Sequence, residues 1–169
     1  MRCVRCSSPD RRTGGSERGR ESRGSARPEA PAGPSGGERV NVYTPQEQAN
    51  LHLVRQMYEQ VLQRLDPAPV DRFFHPGYVQ HSPMAATGAQ GLKEFLEWAR
   101  RRSPAAEHRI KRMFADGDHV IVHVHVVINP GDRGNAVVDI FRIEGGLIAE
   151  HWDVGQEVPA RAANDNGMF

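Results

Sequence analysis

The sequence predicts an α+β domain, helices first and a mainly antiparallel sheet after them, and three observations carry that prediction. Up to about residue 102 the apolar residues recur at spacings of three and four, the period of a helical face, and beyond Ser103-Pro104 the period changes to two. The period-two half is cut at Asp116-Gly117, at residues 129–134 (NPGDRG) and at Glu144-Gly145-Gly146, each with hairpin chemistry. Helices followed by consecutive hairpins, rather than helices alternating with strands, favour an antiparallel meander over a parallel sheet.

Taken in order, Thr44-Pro45 opens the first helix, with Thr44 as N-cap, Pro45 at the first helical position and Glu47 completing a capping box. Val54, Met57, Tyr58, Val61, Leu62 and Leu65 then form one buried stripe. Asp66-Pro67-Ala68-Pro69 ends that helix, and the next five residues, VDRFF, suit a short helical turn before His75-Pro76-Gly77. Tyr78 to His81 read as extended, and a loop leads to a second amphipathic helix over 90–101, with Leu92, Phe95, Leu96 and Ala99 inward and Trp98 at its edge. Strands follow near 107–115, 119–128, 135–143 and 147–154. The helices are expected to lie across one face of a curved sheet and to close off a pocket.

A length of 169 residues suits one domain, since domains commonly run to ~100–150 residues. Nine of the 22 basic and five of the 21 acidic residues fall in residues 1–40, so the remainder is slightly acidic, which gives no case for nucleic acid. No apolar run approaches the ~18 residues of a membrane helix. Residues 1–42, rich in Arg, Gly, Ser and Pro, are expected to be a disordered tail ahead of a domain over 43–169, or to reflect a start placed too far upstream. They lack the apolar core of a secretory signal. Cys3 and Cys6 form a lone C-x-x-C where a structural zinc site wants four ligands. The domain itself has no cysteine, in keeping with the cytoplasm.

Polar residues stand at several positions that the pattern assigns to core. In the strand VIVHVHVVI, His123 and His125 share a face, which is either ordinary outer surface or the lining of a semi-polar pocket. The spacing from Gly117 to His125 opens a cupin-type metal motif, but Asn129 and Pro130 stand where its glutamate belongs, so no metal is expected. In the next strand Val137, Asp139, Phe141 and Ile143 share one side; Arg142 on the other suits solvent, so Asp139 is expected to point inward beside Phe141. A buried Asp is costly unless paired, so it is either a structural ion pair or a carboxylate tuned as a general base. For His151 and Asp153 the hairpin register decides. A three-residue loop puts His151 opposite Asp139, the register we favour, whereas a loop of two glycines puts Trp152 there and turns His151 outward.

From Asn50 onward the phrases YVQHSP, ADGDHVIVHVH, NPGDRGNAVVDIFRIEGG, LIAEHWDVGQEVP and NGMF occur in order, and together they resemble the SnoaL-like branch of the nuclear-transport-factor-2-like superfamily, which carries polyketide cyclases. The resemblance implies a cone, helices packed inside a strongly curved sheet with a ligand cavity at the open end. It implies intramolecular aldol condensation of a small carbonyl substrate, without metal or organic cofactor, with Asp139 in VVDIFR as acid and base. An enolate oxygen needs a donor, and His81, His123 and His151 are the candidates. Gln80, His125, Phe141, Trp152 and Asp153 are the expected substrate contacts. No equivalent of the Tyr and protonated Asp pair of ketosteroid isomerase, of the same superfamily, stands out. The rival reading is a non-catalytic module that binds a small apolar ligand. A Val and Ile sheet face wider than two helices can cover points to a homodimer.

Overall fold

The computed structural model describes residues 43–169; the expected tail, with Cys3 and Cys6, lies outside the described residues. Helix α1 spans Pro45–Met57 and passes directly into a π turn, Tyr58–Leu62. The short α2 (Val70–Phe73) leads into strand β1 (Phe74–Gln80), and α3 covers Gly88–Arg102. The remaining strands are β2 (Glu107–Asp116), β3 (His119–Val127), β4 (Asn135–Glu144) and β5 (Leu147–Glu157). They form one sheet in the order β1-β5-β4-β3-β2, antiparallel except for the parallel pairing of β1 with β5. This is the α+β arrangement read from the sequence, with the helices packed on one side of a mixed, open sheet.

The Thr44 capping box forms: the Thr44 side chain accepts from Glu47 N, while Glu47 Oε2 accepts from Thr44 N at 2.8 Å. Glu47 also ties the helix to the β2–β3 turn, its Oε1 accepting from Gly117 N at 3.1 Å, and buried Asn50 donates to Gly117 O at 3.1 Å. The stripe expected to run evenly to Leu65 is interrupted. Gln63 N donates to Tyr58 O at 2.8 Å, an i→i−5 bond that takes one more residue into the hydrogen-bonded loop than an α-helix does. Both Tyr58 and Val61 end up fully buried. The helical segment closes at Leu65, which takes a left-handed φ of +48° where glycine is usual, held there by its buried side chain.

The core lies between helices and sheet: Val54, Met57, Tyr58 and Val61 from the first helical segment and Leu92 and Leu96 from α3 meet Val120, Val122 and Val124 of β3 and Phe141, Ile143 and Ile148. Along β3 the valines at even positions face this core, which fixes Ile121, His123 and His125 on the opposite side of the sheet.

The β4–β5 hairpin departs from the favoured register. Its loop is Gly145-Gly146 alone, with φ of +58° and +76° suited to a type I′ turn, and Glu144 pairs Leu147. A regular ladder from that turn would set Trp152 opposite Asp139. Instead the register steps between Arg142 and Ile143, leaving Ala149 as an extra residue, and Asp139 pairs with Asp153. The bulge cancels the change of face, so His151 points inward opposite Phe141 and Trp152 points outward.

Candidate functional site

A cavity of ≈190 Å³ opens between the helices and the inner sheet face. Its floor is apolar, with Met57, Phe74, Leu92, Val137 and Phe141; Met84, Ala85 and Phe95 also line it. Its polar groups come from four strands and one connection, which is why no single stretch of sequence announces the site.

At the centre stands Asp139, 8% exposed. Tyr58 Oη donates to its Oδ2, from a ring that is wholly buried. His151 Nε2 lies 3.1 Å from its Oδ1, and the His151 ring stacks on Phe141 with centroids 4.7 Å apart. The far side of His151 is held too. Gln80 Oε1 accepts from Ser82 N at 3.0 Å and lies 2.8 Å from His151 Nδ1, so Nδ1 carries the proton that fills that contact. His151 Nε2 and Asp139 Oδ1 then share one further proton: a carboxylate facing an imidazolium, or a carboxylic acid facing a neutral ring. Asp153, beside Asp139 on the neighbouring strand, accepts from Ser82 Oγ at 3.1 Å.

Two phenols sit against this acidic cluster. Burial pushes Tyr58 far above the usual phenol range, and the charge of Asp139 and the bond to it push the same way, so Tyr58 remains a donor throughout the working pH range. Tyr78 is raised by burial first and then by Asp139 and Asp153. At the β2 edge His108 lines the same cavity; burial lowers its pKa below the usual histidine value, against a smaller opposing pull from Asp139.

Of the expected site residues, Asp139, His151, Gln80, Phe141 and Asp153 come together at the cavity. His81, His123, His125 and Trp152 do not, and the expectation that they face it is corrected. His81 stacks on Trp152 with centroids 4.7 Å apart and reaches Glu150 at 2.8 Å on the outer side of the sheet, because Trp152 alternates with His151. His123 and His125 alternate with the buried valines of β3 and pack instead against Phe169, with centroids 5.5 and 4.5 Å away. His125 Nε2 also lies 2.7 Å from Arg133 O. The sequence reading missed Tyr58, Ser82, Tyr78 and His108. Tyr58 could have been found: a phenol on a buried helical stripe needs a partner, and an inward Asp is one.

Helices packed on an open, mixed sheet form the α+β cone of the nuclear-transport-factor-2-like proteins. Within that class the chain belongs to the SnoaL-like domain family, whose model matches residues 54–151, more than half of its length. Solved structures agree on the fold. A proposed SnoaL-like polyketide cyclase from Jannaschia sp. CCS1 is similar over 68% of this chain and 90% of its own, with 19% identity and a TM-score of 0.57. A nuclear-transport-factor-2-like protein of unknown function from Mesorhizobium loti also has 19% identity and a TM-score of 0.57, over 68% of this chain and 97% of its own. A proposed polyketide cyclase from Acidithiobacillus ferrooxidans has 18% identity and a TM-score of 0.54, over 63% of this chain and 87% of its own. No curated protein matches the sequence significantly.

Proposed function

We propose that the protein is a small-molecule enzyme of SnoaL-like type, performing general acid–base chemistry next to a carbonyl, as an aldol-type cyclisation or an isomerisation. The observation that carries this reading is Asp139: a carboxyl group buried at the wall of a mostly apolar cavity, oriented by Tyr58 and sharing a proton with His151. A base that removes a proton beside a carbonyl gains from such a dry setting. The carboxylate of Asp139 takes the α-proton; the Gln80–His151 chain fixes the imidazole so that its Nε2 proton stabilises the ionised acid. Phe141 and Asp153 bound the reacting fragment. The proposed cyclases on the same fold support a carbonyl-rich substrate, and the proton that Asp139 takes returns to the new alkoxide in an aldol closure or to another carbon in an isomerisation. The same reading takes the protein to be a cytoplasmic homodimer, which fractionation and light scattering test.

The test is α-carbon deuterium exchange of indanone, a bicyclic ketone of a size to enter the cavity, in deuterium oxide. The wild-type protein accelerates exchange and Asp139→Asn does not. Exchange unaffected by the protein, or equal in the variant, overturns the reading.

One observation favours a second reading, a ligand-binding module. Both oxygens of Asp139 already engage protein groups, as a purely structural carboxylate would. That reading expects indanone to bind without any exchange.

A further inference from the structure

His108 is the one buried side-chain nitrogen or oxygen left without a hydrogen-bond partner among the described residues, and the atom concerned is Nδ1. A buried polar atom without a partner is costly, so such exceptions call for a reason. Packing alone supplies none, because an apolar ring at this position would fill the same space without that cost. The residue has the wrong chemistry for its fold position and the right position for the cavity it lines. Its strand delivers it there: His108 pairs Val126 and alternates with exposed Glu107 and Arg109, so its ring turns to the helix side with Ile110. Gln63 Nε2 donates to His108 O at 3.2 Å, tying that point of the edge strand to the end of the first helical segment.

The ring chemistry then narrows what His108 can do. With Nδ1 sealed and unpartnered, the doubly protonated ring is disfavoured, in line with its lowered pKa. Of the two neutral forms, the one that leaves a bare lone pair in the sealed position is better tolerated than an N–H with no acceptor. The proton therefore sits on Nε2, which has no protein partner among the described residues. We propose that His108 Nε2–H is the hydrogen-bond donor for the ligand's carbonyl oxygen, the function that His81 and His123 cannot serve from the outer face. The assignment rests on the carbonyl reading above and deepens it: the ligand's oxygen points to the β2 edge while its α-carbon lies toward Asp139 on β4. A neutral imidazole suits this task, since it strengthens its bond as the oxygen gains charge without drawing the Asp139 proton into a competing ion pair. Tyr78, another cavity-lining donor without a side-chain partner among the described residues, has a packing role that His108 lacks, its ring meeting Phe74 edge-on with centroids 4.8 Å apart, and the Gln80 amide is already committed through its Oε1 to Ser82 N and His151.

The experiment compares indanone with indane, which has the same shape without the oxygen, by titration calorimetry on the full chain. The wild type is expected to prefer indanone by about tenfold, the worth of one well-placed hydrogen bond. His108→Phe loses the preference, His108→Gln keeps part of it, and Tyr78→Phe keeps it. ¹⁵N spectra of the wild type are expected to move the His108 Nε2 resonance on adding indanone. Equal or no binding of the two compounds by the wild type overturns the assignment. So does a preference that survives in His108→Phe, or one that disappears in Tyr78→Phe instead. The carbonyl chemistry fails separately, by absence of α-exchange in a protein whose ketone preference still depends on His108.

Discussion

Replacing Tyr58 by Phe removes one oxygen atom from a fully buried side chain and nothing else. The ring contacts stay, including the edge-on meeting with Phe141 at 6.2 Å and 89°, so there is no cavity term to add. What is lost is the donor to Asp139 Oδ2. Hydrogen bonds to charged groups contribute about 1.5–3 kcal/mol, and an acceptor left behind in a site this closed regains little from water. For a domain of this size that corresponds to a fall in Tm of roughly 5–15 °C. Urea unfolding followed by circular dichroism measures it, within a double-mutant cycle with Asp139→Ala, which removes the acceptor. The two changes share one bond, so their combined cost is expected to fall short of the sum by about 1 kcal/mol. A Tyr58→Phe protein within about 0.5 kcal/mol of wild type would refute the pairing, since such a loss is typical of surface sites.

Other perturbations separate the inner from the outer face. His108→Phe is expected to raise stability and to change its pH dependence. The folded ring titrates below the usual value, so as pH falls through about 6.5 the unfolded chain gains a proton that the folded chain refuses, and wild-type stability declines until the buried ring protonates. The variant lacks that decline; parallel melting curves from pH 8 to 5 for both proteins would contradict it. Gly91→Ala is expected to cost about 1–3 kcal/mol, because a Cβ there would sit 2.3 Å from Ala86 O and force the loop beside the cavity to shift. Calorimetry should record weaker indanone binding as well as the lower Tm. His123→Ala and His125→Ala are expected to leave exchange of indanone within about twofold of wild type, since both side chains pack on Phe169 outside the cavity.

Much of the architecture was legible because local signals agreed with it. Thr44, Pro45 and Glu47 mark a helix start by chemistry that depends on no distant contact, and the alternation through β4 set Asp139 and Phe141 on one side and Arg142 on the other. The site was legible only where such alternation runs undisturbed. His123 and His125 could not be assigned a face, because a run of valines on one side and of Ile and His on the other is compatible with either orientation. The β5 register failed for a different reason: a bulge is a response to the twist of the whole sheet, and nothing in LIAEHW marks Ala149 as the residue left out. Tyr58 and His108 were passed over because each looks like its neighbours in sequence. A tyrosine on an apolar stripe and a histidine between two charged residues show their chemistry only against the opposite wall.

The step at Ala149 has a consequence for how this arm of the protein tolerates change in length. It works as slack in the chain: deletion of that one residue would leave a straight ladder in which His151 and Asp153 keep their sides, so a lost codon here is silent for the hollow. The same deletion at Trp152 would swing Asp153 out of it. Natural variation in the length of this arm is therefore expected to collect at the step, next to the turn, and to be absent two or three residues further on.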